Sequence, residues 1–139
     1  MSDNRAVTTF FVRTPNPRPD FRSVAVFLWG AHHDYDSDGD CTHPADRSWT
    51  ELTLDSRELK DERVDVDPIR EEPLTLKVES TRELLAARVA HYLAVTTEGA
   101  VSEEVDGEYV GAVAFRDRLC DFDVASAMRR AAEYVARRA

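Results

Sequence analysis

In 74-LTLKVES-80 the apolar Leu74, Leu76 and Val78 alternate with Thr75, Lys77 and Glu79. A period of two sends successive side chains to opposite faces of an extended chain, so this run reads as a strand with one face in a core and one in water. The same alternation runs through 49-WTELTLDS-56, with Thr50, Leu52 and Leu54 on one face. It is weaker in 62-ERVDVD-67, where Val64 and Val66 point inward, and Pro68 and Pro73 bracket the acidic turn that follows. Strands of this kind in series argue for a mainly antiparallel sheet with one solvated face.

The flanking segments fill in the rest. Residues 6-AVTTFFV-12 are rich in β-branched and aromatic types and read as a first strand. The stretch 14-TPNPRPD-20 carries three prolines and must be an extended connection. The continuously apolar 24-VAVFLWG-30 reads as a central strand covered on both faces, followed by a long polar loop over 31–48. Ser80 with Glu83 forms a capping-box pattern at the start of a helix. Leu85, Val89, Tyr92 and Thr96, flanked by Leu84 and Leu93, give that helix its apolar stripe, with His91 at its exposed or boundary face. Gly99 stands where a left-handed cap is wanted, and Asp106-Gly107 suits a two-residue hairpin turn. A last helix begins near Asp121 or Asp123, burying Val124, Met128, Ala131 and Val135, with Cys120 as a small buried hydrophobe at its entry. The order is strands, helix, hairpin, helix. This is α+β, a mainly antiparallel β-sheet with two helices packed on one face, in a single domain over residues 1–139.

Charge narrows the partners. With 27 acidic against 18 basic residues the net charge is −9, which argues against nucleic acid, because phosphate neutralisation needs clustered Lys and Arg. It suits a basic protein partner or a cation. Only Lys60 and Lys77 among the basic residues are lysines, a bias that reads as the mark of a GC-rich bacterial genome. No apolar run is long enough for a leader or a membrane span, so a cytoplasmic location is the default expectation. Two cysteines, Cys41 and Cys120, do not make a disulfide scaffold; free thiols are expected, with a bridge between them left open.

The most chemical stretch is 32-HHDYDSDGDCTH-43. Asp34, Asp36, Asp38 and Gly39 match the first half of a calcium loop, in which alternating carboxylates converge on a hard cation, and Asp40 could add a further oxygen. The position of the bidentate glutamate is Ala45, and no helix frames the loop. His32, His33, Cys41 and His43 could serve zinc instead, with only one of the adjacent His32 and His33 reaching a shared metal, as a binding site or with a carboxylate in a metal-dependent hydrolase, although the spacing is not that of a zinc framework. Beside both stands the plain reading of a solvated acidic turn. No G-x-S-x-G elbow, P-loop or G-x-G-x-x-G occurs, so no catalytic residue is assigned.

The stretch from Trp49 to Ala100, WTELTLDSRELKDERVDVDPI through LTLKVES to LLAARVAHYLAVTTEGA, resembles a pattern in small bacterial α+β proteins of unknown function. Some proteins of that appearance look like immunity proteins of polymorphic toxin systems, which are acidic, cytoplasmic and act by capping a toxin. The resemblance rests on fold-forming residues and transfers no site. It implies a non-catalytic protein-binding module of the immunity-inhibitor type; the alternative, carried by the residues of the 32–46 loop and not by the resemblance, is a divalent-metal-binding protein or metal-dependent hydrolase.

Overall fold

A computed structural model describes residues 6–138. Residues 1–5, part of the stretch read as lacking a leader, lie outside the described residues. Seven strands form one sheet: β1 (Thr8–Arg13), β2 (Tyr35–Gly39), β3 (Leu52–Ser56), β4 (Arg63–Glu71), β5 (Leu74–Ser80), β6 (Ala100–Ser102) and β7 (Val110–Gly111). Their order in the sheet is β2-β3-β4-β5-β1-β6-β7, and every neighbouring pair is antiparallel. Four helices accompany it: α1 (Phe21–Trp29), α2 (Glu83–Thr97), α3 (Ala112–Phe115) and α4 (Val124–Arg138), with a 3-10 turn over Arg116–Leu119. The α+β class is as the alternation implies, but the described residues form four helices, not two.

The strands β2 to β5 form a meander that returns to lie beside β1. Helix α2 then crosses over β1 to place β6 on its other side, so β1 is an interior strand between β5 and β6. Phe10, Val12, Leu52, Leu54, Val64, Val66, Leu76 and Val78 all point to one face and are buried against the helices. Helix α2 packs across β1, β5, β4 and β6, α1 lies against α2, and α4 packs on α1. Phe10 meets Phe115 of α3 edge-on at 5.0 Å between ring centroids. Among the described residues no helix packs on the opposite face of the sheet.

The main departure from the sequence reading is α1. The run 24-VAVFLWG-30 is helical, not a central strand. Asp20 caps it, accepting from the Arg22 amide at 2.9 Å, and Ser23 to Leu28 are all buried between α2, α4 and the sheet. A segment buried on every side loses the periodicity that separates helix from strand. The cap was visible in sequence, in Asp20 directly after Pro19. Helix α2 is likewise buried almost all round, and His91, assigned to its exposed or boundary face, is only 3 % exposed. On α4 the buried stripe runs through Val124, Ala127 and Ala131, leaving Met128 half-buried and Val135 exposed.

Three local expectations also change. Ser80 does not close a capping box: its hydroxyl donates to the Arg63 carbonyl at 2.6 Å and accepts from the Arg82 amide, binding the helix entry to β4. Glu98, not Gly99, takes the left-handed cap at the end of α2. Gly99 is required for another reason, since a Cβ there would lie 1.8 Å from the Arg13 carbonyl oxygen of β1. The β6–β7 hairpin forms, pairing Ala100 with Gly111 and Val101 with Val110, but its loop spans residues 103–109 and not the two residues Asp106 and Gly107. That loop reaches back to the sheet: Asp106 pairs with Arg70 at 3.0 Å, and Arg13 stacks on Tyr109 at 3.8 Å from the ring centroid. Among the described residues no helix is long and apolar enough to cross a membrane.

Candidate interaction face

The polar segment 31–48 is not structureless. Tyr35–Gly39 is the edge strand β2, paired with β3 so that Asp36 lies opposite Asp55 and Asp38 opposite Thr53. Because Leu52 and Leu54 face the core, Asp36, Asp38, Thr53 and Asp55 face the helix-free side. The register carries the same side onward: Thr53 to Asp65, Asp55 to Arg63, Asp65 to Glu79, Asp67 to Lys77, and Thr9 to Glu79. One row therefore crosses five strands as Asp38, Thr53, Asp65, Glu79 and Thr9. A second row, Asp36, Asp55 and Arg63, runs beside it.

Hydroxyls and a few cations organise this face. Thr53 Oγ1 donates to Asp65 Oδ1 at 2.7 Å, and Thr9 Oγ1 donates to Glu79 Oε2 at 3.1 Å. Arg63 grips Asp65 at 3.2 Å, which raises the arginine pKa further, and Lys77 lies 3.4 Å from Glu79. Arg57 bridges Asp34, at 3.3 Å, and Asp36. The hydrogen bond from Arg57 holds the Asp36 carboxyl below its ordinary value. Carboxylates still outnumber cations on the face, and two like-charged pairs stand directly opposite each other, Asp36 with Asp55 and Asp65 with Glu79.

The residues singled out as metal ligands are dispersed along this edge. Asp34 and Asp36 are engaged by Arg57. Asp38 accepts from the Gly39 amide at 2.8 Å. Asp40 accepts from the Thr50 and Glu51 amides at 2.9 and 3.0 Å and from the Thr50 hydroxyl at 2.9 Å. Burial works to raise the Asp40 pKa, but these bonds outweigh it and lower it. His32 and His43 are both exposed. Gly39, the turn glycine of the calcium pattern, lies at φ 151° in the strand, and a Cβ there would sit 2.1 Å from the Glu51 carbonyl oxygen. Among the described residues no group of three or more His, Cys, Asp or Glu side chains is placed to hold a metal ion. Both cysteines are free. Cys41 is half-buried, and burial with Asp46 and Asp40 nearby pushes its thiol up to about 11, while Cys120 is exposed and not the buried hydrophobe read from sequence.

One arrangement escaped the sequence reading because its members lie far apart in the chain. His33 Nε2 lies 2.7 Å from Ser56 Oγ, its Nδ1 lies 3.4 Å from Glu58 Oε2, and its ring stacks on Trp29 at 4.7 Å. The order hydroxyl, imidazole, carboxylate is that of hydrolytic triads. Yet Ser56 Oγ also accepts from the Glu58 and Leu59 amides at 3.1 and 2.8 Å. With both lone pairs taken and its proton directed at His33, this hydroxyl has no electron pair free to attack a carbonyl. The chain of contacts ties the start of β2 to the turn after β3.

No family model, curated protein or solved structure matches this chain. The geometry therefore stands alone. What it offers is a broad, helix-free, acidic sheet face whose charges are carried on paired strands.

Proposed function

We propose that this chain is a protein-binding module that docks a basic partner on the helix-free face of its sheet, in the manner of an immunity-type inhibitor. The observation that carries the reading is the polar row across five strands, with carboxylates on β2, β4 and β5, together with the like charges set opposite each other at Asp36–Asp55 and Asp65–Glu79. Like charges directly opposite destabilise an antiparallel pair. A basic surface laid on the face offsets that repulsion, and the negative field raises the rate of encounter. A sheet fixes its side chains more rigidly than a loop does, so the pattern is preformed and little ordering entropy is spent on docking.

The test is co-expression with toxin-like proteins encoded beside this gene. Growth rescue by the parent chain, lost in the Asp55→Lys/Asp67→Lys variant, supports the reading. Rescue that survives charge reversal moves the contact surface elsewhere, and failure to rescue against every neighbouring toxin-like product removes the immunity function.

A further inference from the structure

A cleft of about 850 Å3 opens where the connection 14–20, the loop 40–50 and the β4–β5 turn meet. Thr14, Arg18, His43, Arg47, Glu71 and Glu72 are among its lining residues. Arg18 is only 8 % exposed. Its Nε donates to the Trp49 carbonyl at 2.8 Å and its Nη1 to the Asn16 carbonyl at 3.3 Å, which leaves donors of the guanidinium unused. It forms no ion pair among the described residues: Asp40 and Asp46 act on it only at a distance, and burial draws its pKa below the ordinary value. Asp46 in turn is taken up by Thr42 and Ser48, accepting from both amides and both hydroxyls at 2.6 to 3.2 Å. Thr14, 4 % exposed, has a buried Oγ1 with no hydrogen-bond partner.

Among the described residues, then, Arg18 is buried without a carboxylate and Thr14 Oγ1 is buried without a partner, both uncommon in a folded chain. Both residues line the same open cleft, and a turn of the Thr14 side chain would bring its hydroxyl, now closed off from water, to a ligand held by Arg18. We propose that this cleft binds an α-carboxylate carried by a ligand that is also cationic, either a basic free amino acid or the C-terminal residue of a basic polypeptide. The planar guanidinium fork of Arg18 matches a carboxylate, Thr14 adds a hydroxyl donor, and Arg47 adds a second positive charge. Glu71 and Glu72 line the same cleft and accept the ligand's positive group. Their charge also opposes a multiply charged anion such as phosphate. None of the carboxylates of the sheet face lines this cleft, so the site is independent of the docking surface.

Calorimetric titration of the full chain with L-arginine, argininamide, inorganic phosphate and the tripeptide Gly-Gly-Arg, free or amidated at its C-terminus, tests the assignment. The expected result is binding of L-arginine or the free tripeptide, none of either amide, and weaker binding of phosphate. The tighter of the two carboxylate ligands identifies the source. Thr14→Val keeps the shape of the side chain and should weaken binding about tenfold or more, the effect of one hydrogen bond to a charged group, while Thr14→Ser binds like the parent. Arg47→Gln provides a second variant on an exposed residue and should also weaken binding. Equal binding of the amides, preference for phosphate, affinity unchanged in both Thr14→Val and Arg47→Gln, or no binding of either carboxylate ligand up to about 10 mM overturns the proposal.

Discussion

Two single residues show how the chain uses positions that sequence patterns assign to other roles. Gly99 matches a helix stop, yet its place is set by the β1 backbone, whose Arg13 carbonyl leaves no room for a Cβ. Gly99→Ala should therefore destabilise by more than about 2 kcal/mol, measured by urea unfolding, because only a backbone shift between β1 and β6 relieves the clash. His91 sits among Phe27, α3 and the 3-10 turn, with its Nδ1 buried and unpartnered. Burial first, and the nearby Arg116 second, lower its pKa below the ordinary 6.5, against a smaller raising effect of its bond to the Ala112 backbone. The unfolded chain thus binds a proton at His91 more readily than the folded one. Its stability contribution is complete above about pH 6.5 and declines as pH falls below that value. The carboxylates Asp36, Asp40 and Asp46 are shifted in the same direction, because their charged forms are the ones held, and lose their contribution only on further acidification, below the ordinary 3.8. Melting temperatures between pH 7 and pH 5 should fall in the parent chain and fall less in His91→Phe; equal slopes would remove His91 as the cause.

At the scale of elements, legibility followed exposure. The strands β3, β4 and β5 were readable because each has one wet face, so Leu52, Val64, Leu76 and their partners alternate with polar residues. Helix α1 was not readable, because burial of Ser23 to Leu28 on all sides leaves no polar side to mark the period. The edge strand β2 was hidden for the opposite reason: its residues are almost all exposed, and its aspartates imitate half of a calcium loop. The row of carboxylates was implicit in the alternation, but it needed the register to bring Asp38, Asp65 and Glu79 into line, and register is a tertiary property. What fixes α1 is a set of polar ties at its entry. Tyr92 donates to Ser23 Oγ at 2.8 Å, Ser23 donates to the Asp20 carbonyl at 2.6 Å, and the buried Trp49 Nε1 donates to the Pro19 carbonyl at 2.7 Å. Removing the last of these in Trp49→Phe leaves that carbonyl buried and unsatisfied, at a cost of about 1–3 kcal/mol beyond the lost contact area. Tyr92→Phe should cost less, because Ser23 keeps its bond to Asp20. Chemical denaturation of the two variants checks the order.

Over the whole molecule, a net charge of −9 goes with a sheet face on which carboxylates outnumber cations. If that face were shaped for stability alone, opposed carboxylates would be poor choices, since neutral cross-strand pairs do better. Asp55 isolates the effect. It faces Asp36 of β2, while Arg63, its neighbour on β4, pairs with Asp65 and feels Asp55 as a lesser influence. Asp55→Asn keeps the size of the side chain and removes the repulsion, so it should stabilise the chain by about 0.2–1 kcal/mol at low salt. The gain should shrink as salt screens the charges. A metal shared by these aspartates predicts the reverse, a loss of melting temperature in Asp55→Asn or on adding EDTA, and recovery with Ca2+ or Zn2+. The expected outcome is an EDTA-insensitive melt with a more stable Asp55→Asn. The same variant should bind its partner more slowly and with a weaker salt dependence, because the repulsion that costs the free protein stability is the field that draws a basic surface in.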